Sequence, residues 1–155
     1  MHASLSRTDS QPRPSRHTLV DGLFRGLFSL IFIVAGTGHL LDPASITLRL
    51  ENAPMGYLVT AWLPPTPLVL AAGVALLAGG LALFVGYKAR FSALILIAIL
   101  IPITVTVQIG APTLGPLFKN IALLGGLLFF AANGAGGCSV DASQRHETQQ
   151  HETQR

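Results

Sequence analysis

The stretch VDGLFRGLFSLIFIVAGTGHLL, residues 20–41, is the first segment of the chain that is long and apolar enough to cross a bilayer. A membrane-spanning helix needs about 20 mainly apolar residues to cross roughly 30 Å of hydrocarbon. At helical spacing, one face of this segment consists mostly of small or polar residues: Gly22, Arg25, Gly26, Ser29, Phe32, Gly36 and His39. Such a face is poorly suited to lipid, so we expect it to contact other helices.

The composition of the chain also indicates a membrane protein. Half of the 155 residues are hydrophobic and only 11% are charged, whereas about a quarter of the residues of a typical soluble domain are charged. The formal net charge of +3 does not predict a nucleic-acid partner, because no basic residues cluster beside aromatic ones. We therefore expect the lipid bilayer to be the main partner of the chain.

Three further apolar segments follow, at residues 68–86, 91–110 and 117–133. With residues 20–41 they predict an all-α fold, an integral membrane up-and-down four-helix bundle over residues 19–134. Residues 1–18 and 135–155 are polar and lack apolar periodicity, so we expect them to be disordered tails.

Two patterns inside the predicted helices indicate how they pack. A stripe of small residues runs along the second helix and predicts close approach of a neighbouring helix: Ala71, Ala75, Gly79, Ala82 and Gly86. In the third helix, Pro102 lacks an N–H group and predicts a kink. Thr104 and Gln108 lie four residues apart beyond it, and we expect both to face inward, since an amide facing lipid would leave its donors unpaired.

The connections between the helices predict the orientation of the chain. Residues 42–67 include Tyr57 and Trp62, which favour the headgroup level, and predict an interfacial loop with a short amphipathic turn at residues 46–50. In a four-crossing bundle, one side holds eight of the ten basic residues, and the other side holds only Arg49 and Lys119. The positive-inside rule therefore predicts that both termini are cytoplasmic.

The same topology brings scattered polar residues to one end of the bundle. His39 ends the first helix there, Gln108 ends the third, and Lys119 with Asn120 begins the fourth. Ionisable residues within a membrane segment are candidates for function, and two acidic residues are possible contributors: Asp42 and Glu51. The alternative is that each of these side chains lies in the hydrated headgroup region and has no special role.

Arg25 belongs to the opposite, cytoplasmic side of the predicted bundle. Asp21 precedes it by four residues, which is the spacing of an ion pair on a helix surface. We expect an interfacial Asp21–Arg25 pair that fixes the entry of the first helix into the membrane.

Three motifs carry a resemblance to a known family: LFRGLFSLIFIVAGTGHLLDP at residues 23–43, GGLALFVGYKAR at residues 79–90 and LFKNIALLGGLLFF at residues 117–130. Their order resembles the DoxX family of small bacterial membrane proteins. The resemblance implies a four-helix bundle in the bacterial cytoplasmic (inner) membrane and kinship with subunits of quinone-linked oxidoreductases, including thiosulfate-oxidising ones. Where many relatives carry a glutamate shortly before the paired glycines, this chain has Leu76.

The family motifs map onto four residues of this chain: Arg25, His39, Lys119 and Asn120. A haem would need a second histidine in the membrane, but the remaining four lie in the tails, and Cys138 is the only cysteine. We therefore expect no bound metal and no covalently bound cofactor.

Quinone binding needs only an apolar slot and one or two hydrogen-bonding groups, which His39, Gln108, Lys119 or Asn120 can supply. The leading hypothesis is a quinone-interacting subunit of a membrane-associated oxidoreductase complex, with a soluble or membrane partner protein that supplies electrons. One alternative is a non-catalytic scaffold or assembly partner. A small-solute transporter is the weakest alternative, because no inverted repeat is visible. The sequence leaves the oligomeric state open.

Overall fold

The computed structural model describes residues 16–135, and this part of the chain contains helices and no strand. The elements are α1 Arg16–Leu41, α2 Pro43–Glu51, α3 Tyr57–Thr60, α4 Pro65–Val85, α5 Ala89–Ile103, a π-helical turn Thr104–Gln108 and α6 Gly115–Asn133. Four helical segments are long and apolar enough to cross a membrane: Leu19–Leu41, Pro65–Val85, Ala89–Gln108 and Gly115–Asn133. The predicted all-α membrane bundle is confirmed, with each helix end within four residues of its predicted position.

The predicted contact face of α1 is the face that the bundle buries. Arg25, Ser29, Phe32 and Gly36 are buried on it, whereas four large apolar residues elsewhere on α1 are exposed: Leu23, Leu27, Leu30 and Val34. A helix in a membrane turns its small and polar positions inward and leaves large apolar residues to the lipid. The helical spacing of the seven mostly small or polar residues on this face is therefore sufficient to orient α1.

The closest helix contact joins α1 to α4 through glycines. A Cβ atom added at Gly36 would lie 2.6 Å from the backbone nitrogen of Leu77 and 2.8 Å from the carbonyl oxygen of Gly73. A Cβ atom added at Gly80 would lie 3.1 Å from the Phe32 Cβ. This contact uses glycines outside the predicted small-residue stripe. Within the stripe, a Cβ atom added at Gly79 would lie 2.9 Å from the Leu96 side chain of α5.

Two connections define the two ends of the bundle. At the end that we call the turn end, α4 stops at Gly86 in the left-handed conformation (φ 73°), and α5 begins directly after Lys88. This short turn makes α4 and α5 antiparallel neighbours, as predicted. The opposite end, which we call the α2 end, carries α2, α3 and the connection from the π-helical turn to α6.

The third membrane helix changes its winding after Pro102. The sequence predicts a kink there, and the structure places a π-helical turn at Thr104–Gln108, in which the Ile109 N–H donates to the Thr104 carbonyl at 3.3 Å. Proline removes one helix donor and crowds the preceding turn, and π-helical turns occur frequently at functional sites. Thr104 is buried and Gln108 is half-buried, which agrees with the inward direction predicted for both.

The α2 end is covered by a helix where the sequence predicts only a short turn at residues 46–50. α2 runs over nine residues, and the Asp42 carboxylate caps it by accepting a hydrogen bond from the Ser45 N–H at 3.1 Å. The loop after α2 is attached to the bundle because the Met55 N–H donates to the Thr106 carbonyl at 3.3 Å. Leu50 of α2 is buried, so this segment is part of the bundle.

The predicted tails fall mostly outside the described residues. Residues 1–15 and 136–155, with Cys138 among them, are not described, whereas residues 16–18 already form the start of α1. Ala135 is described and buried. The expectation of disorder in the two tails stays a prediction.

Candidate functional site

A cavity of about 670 Å³ lies between the long helices and extends to the α2 end of the bundle. Its volume falls within the range of small-molecule sites in proteins. Along α1 its lining runs from Ile31 to His39, a rise of about 12 Å at 1.5 Å per residue. The floor, near the middle of the bundle, is apolar and includes Phe32, Leu76 and Leu123. α2 contributes Ile46, Arg49 and Leu50 to the lining.

The polar residues of the lining come from separate elements. The four predicted binding residues all line this cavity, together with two that the sequence analysis did not select. The predicted ones are His39, Gln108, Lys119 and Asn120, and the additional ones are Arg49 and Thr106. Folding thus brings together residues up to 81 positions apart in the chain.

His39 is held in a defined orientation at the α2 end of α1. Its Nδ1 lies 2.8 Å from the Ala35 carbonyl oxygen, and because a carbonyl only accepts, Nδ1 must carry the proton of this hydrogen bond. In the neutral ring, Nε2 is then an acceptor, without a partner among the described residues. Gly73 lies against His39, since a Cβ atom there would be 2.7 Å from the His39 Cβ. A larger residue at position 73 would displace the imidazole.

Asn120 is only 4% exposed and is oriented by a short chain of hydrogen bonds. Its Nδ2 donates to the Thr104 Oγ1 at 3.0 Å, and the Thr104 hydroxyl donates to the Leu100 carbonyl at 2.6 Å. Because the only hydroxyl proton of Thr104 is used in this way, Thr104 accepts from the amide, which fixes the direction of the amide. The Asn120 Oδ1 has no partner within residues 16–135 and remains available as an acceptor.

Gln108 and Lys119 differ from these two residues in burial. Gln108 is half-buried at the end of the π-helical turn, and the structure gives its side-chain amide no hydrogen bond with a described residue. Lys119 is exposed near the start of α6. Both lie at the rim of the cavity and provide N–H donors, whereas the Nε2 of an imidazole whose Nδ1 carries the proton and the Asn120 Oδ1 provide acceptors.

Asp42 and Glu51 do not line the cavity. Asp42 serves as the N-cap of α2, and its pKa lies below the usual 3.8 because the Ser45 side chain and then the Ser45 backbone N–H hydrogen-bond to the charged carboxylate. Glu51 is the exposed last residue of α2. The structure therefore gives Asp42 a capping role and leaves both carboxylates outside the lining.

Arg25 lies at the turn end, on the other side of the bundle from the cavity. It is 5% exposed; its Nε donates to the Phe84 carbonyl at 3.3 Å, and its Nη1 donates to the Ala135 carbonyl. Asp21 is exposed. Arg25 thus connects α1 to the ends of α4 and α6, and the ion pair with Asp21 stays a prediction.

Arg49 is one of the two polar cavity residues that the sequence analysis does not select, because that analysis predicts a loop over residues 42–67. Once Pro43–Glu51 is a helix, Arg49 falls three residues after Ile46 and one before Leu50, and all three line the cavity. The start signal was present: Asp42 in the capping position, followed by Pro43 in the first turn. Within residues 16–135, no three metal-binding side chains come together.

Comparison with known proteins gives one result for this chain. The model of the DoxX family matches residues 21–109, from the start of the membrane part of α1 to just beyond the π-helical turn. No curated protein and no solved structure matches the chain. Because the family model covers more than half of its length, the chain belongs to the DoxX family.

Proposed function

We propose that this DoxX protein is a membrane subunit that binds a quinone in the cavity at the α2 end, as part of a membrane-associated oxidoreductase complex. One observation carries the proposal. The four predicted binding residues, from three different helical segments, line a single cavity with an apolar floor.

The lining provides contacts both for the apolar ring faces and for the two oxygens of a quinone head. A quinone head is a flat ring whose apolar faces need a slot and whose two oxygens need hydrogen-bonding partners. The floor provides apolar contacts through Phe32 and Leu76, and the rim provides N–H donors on Gln108 and Lys119. When bound, a quinone supplies reversible chemistry of two electrons and two protons. An apolar pocket with few polar groups is the usual form of such a site.

The protein's own contribution is to position groups that exchange a proton. With its Nδ1–H held by the Ala35 carbonyl, His39 accepts a proton at Nε2 from a ligand hydroxyl and, once charged, donates it to a ligand carbonyl. Asn120, which Thr104 orients, accepts a hydrogen bond from a hydroxyl. These roles favour the reduced, hydroxyl-bearing ligand while His39 is neutral.

The electrons require a second component. Residues 16–135 bring no cluster of metal-binding side chains together, so the proposal assigns the electron donor or acceptor to a partner protein. The distribution of basic residues supports a chain with both termini in the cytoplasm of a bacterium. A C-terminal alkaline phosphatase fusion should then be inactive in the inner membrane, and an active fusion would reverse the proposed orientation.

Quinone binding is testable through Trp62, the only tryptophan. Trp62 is 86% exposed and follows Val59, which lines the cavity, by three residues. In nanodiscs, a short-chain quinone should quench Trp62 in a saturable way. His39→Ala and Gln108→Ala should each weaken the saturable component about threefold to tenfold, since a net hydrogen bond contributes about 0.5–1.5 kcal/mol.

Asn133→Ala is the matched control, because it removes an exposed amide at the turn end. Its quenching curve should equal that of the parent protein. Linear quenching that is identical in all four proteins would reject the quinone site and favour a scaffold that only holds a partner protein.

A further inference from the structure

The rim of the cavity is cationic. Arg49 of α2 and Lys119 of α6 both line it, and both are exposed. Neither forms an ion pair with any residue in the range 16–135, and no aspartate or glutamate is among the described lining residues. The two acids nearest in sequence, Asp42 and Glu51, lie outside the lining. A neutral quinone gives these two positive charges no partner.

The cavity extends from near the level of the lipid headgroups to near the middle of the hydrocarbon layer. Lys119 lies five residues into the span Gly115–Asn133, and His39 lies two residues before the end of the span Leu19–Leu41, so the rim is near the level of the lipid headgroups. Phe32, on the floor, lies nine residues before Leu41, a distance of about 13 Å along α1. This is close to half of the roughly 30 Å hydrocarbon thickness.

We infer that the cavity binds an amphiphile that has an anionic head and a hydrocarbon chain, with the head between Arg49 and Lys119 and the chain along the apolar floor. The carboxylate of a fatty acid and the phosphate of an acidic phospholipid share this chemistry. Charged hydrogen bonds to the head are stronger than neutral ones, and the chain makes van der Waals contacts with Leu76 and Leu123. The inference uses the cavity but does not require quinone binding.

The test uses the full chain in nanodiscs of phosphatidylcholine, which has no net charge. The probe is a 14-carbon fatty acid that carries a diazirine on its chain, and the positions of photolabelling are mapped by mass spectrometry. Saturable labelling is expected on the cavity walls, at residues 68–76 and 98–108. Myristate should displace the probe at least about tenfold better than methyl myristate, which has the same chain without the charge.

Variants identify the cations. Arg49→Gln and Lys119→Gln should each reduce the affinity for the probe about twofold to fivefold, the range expected for exposed charges, and the double variant should reduce it further. Arg90→Gln is the matched control, because Arg90 is an exposed cation at the turn end. Its labelling should be unchanged.

The competitors separate the two sources of the anionic head. Displacement by myristate alone identifies a fatty acid, and displacement by phosphatidylglycerol added to the nanodisc identifies an acidic phospholipid, and either result supports the inference. Labelling only at lipid-facing residues such as Leu81 and Leu94 would overturn it. Equal displacement by the ester, or equal labelling of all variants, would also overturn it.

The quinone titration distinguishes this inference from the proposed function. Normal probe labelling in a protein that shows no saturable quinone binding would reject the proposed function alone. Saturable quinone binding in a protein without charge-dependent labelling would reject the anionic amphiphile alone.

Discussion

The two ends of the bundle are built from the same four helices and differ in how they fill the space between them. At the turn end, five phenylalanine rings form a cluster with centroid distances of 5.5–6.4 Å: Phe24, Phe28, Phe32, Phe129 and Phe130. Arg25 closes this end by its bonds to the carbonyls of Phe84 and Ala135. At the α2 end, the helices enclose the cavity of about 670 Å³.

Side-chain size along α1 and α4 explains the difference. α1 places a phenylalanine at every fourth position up to Phe32, which is both the last ring of the cluster and the floor of the cavity. Beyond it the lining positions of α1 are Ala35, Gly38 and His39, two of which are small, and α4 contributes three alanines in the same region. Helices that already touch through glycines cannot approach further to fill the space that small side chains leave, so the space remains as a cavity.

The largest expected effect comes from removing the closure at the turn end. Arg25→Met keeps an apolar stem but leaves the carbonyls of Phe84 and Ala135, which lie at helix ends, without this donor. At about 1.5–3 kcal/mol for each of the two hydrogen bonds to a charged group, the free energy of unfolding should fall by about 3–6 kcal/mol. Circular dichroism during denaturation in mixed detergent micelles measures the loss.

Two controls define the result for Arg25. Arg90→Met removes an exposed arginine at the same end and should change stability by less than about 0.5 kcal/mol. Asp21→Asn tests the predicted pair, which as an exposed ion pair should contribute at most about 1 kcal/mol. If Asp21→Asn costs as much as Arg25→Met, the ion pair, and not the two carbonyl contacts, holds this end together.

The next largest loss of stability is expected at one of two neighbouring glycines of α6. A Cβ atom at Gly126 would lie 2.4 Å from the Phe28 ring, which is itself packed against Phe24, Phe32 and Phe130, whereas a Cβ atom at Gly125 would meet nothing within 4 Å. Gly126→Ala should therefore destabilise the bundle by about 1–3 kcal/mol through overpacking.

Gly125→Ala is the control for this pair of variants. It should be neutral or stabilising by up to about 1 kcal/mol, because alanine favours the helix. The same denaturation curves measure both variants. Equal stability of the two would show that the phenylalanine cluster is loose enough to move, and the contrast between the two ends would disappear.

A smaller effect on stability, with a larger one on binding, is expected when the cavity is filled. Ala75 lines the cavity on α4, so Ala75→Leu adds its methylenes to empty space and should change the free energy of unfolding by less than about 1.5 kcal/mol. Saturable quinone quenching of Trp62 should be lost. Val74→Leu, at an exposed position on the same helix, is the control and should keep it. Retained binding in Ala75→Leu would place the ligand outside this cavity.

The sequence was sufficient for the fold because membrane helices are selected by length and apolarity. The four spans, the buried face of α1 and the inward direction of Thr104 and Gln108 all follow from these two properties and helical periodicity. The close contact between α1 and α4 did not follow, since α4 carries small residues on more than one face. Gly73 and Gly80 were as available as Gly79, and only the packed structure selects between them.

The sequence predicted that the four candidate residues lie at one end of the bundle, but it could not predict the shape of the cavity that they line. The topology alone placed His39, Gln108, Lys119 and Asn120 at one end, and they line one cavity. The cavity itself depends on mismatched side-chain volumes across helices that are distant in sequence, which no local pattern reports. The carboxylate of Asp42 was assigned to the site because it lies close to His39 in sequence, although its capping position makes it part of α2.

The smallest effect concerns α2, which covers one end of the bundle and has no counterpart at the other among the described residues. The pKa of Asp42 is lowered because its charged form accepts hydrogen bonds from Ser45, the side chain first and then the backbone N–H. A group with a depressed pKa stabilises the fold above its unfolded-state pKa, here 3.8, and this contribution disappears as the pH falls through the lower folded-state value. Acidification below pH 3.8 should therefore loosen the first turn of α2.

Hydrogen exchange at residues 45–48, corrected for the intrinsic rate at each pH, measures this loosening. In the parent protein the protection should fall as the pH drops from 3.8 through the lower folded-state pKa, and in Asp42→Ala it should be low and independent of pH over that range. Glu51→Gln, which neutralises an exposed carboxylate at the other end of α2, should behave as the parent. Protection at the turn end should not change in any of the three proteins, because the carbonyl groups of Phe84 and Ala135 that accept hydrogen bonds from Arg25 do not titrate in this pH range. A parallel loss of protection at both ends would mean that acid unfolds the whole bundle. In that case α2 does not open independently of the other helices.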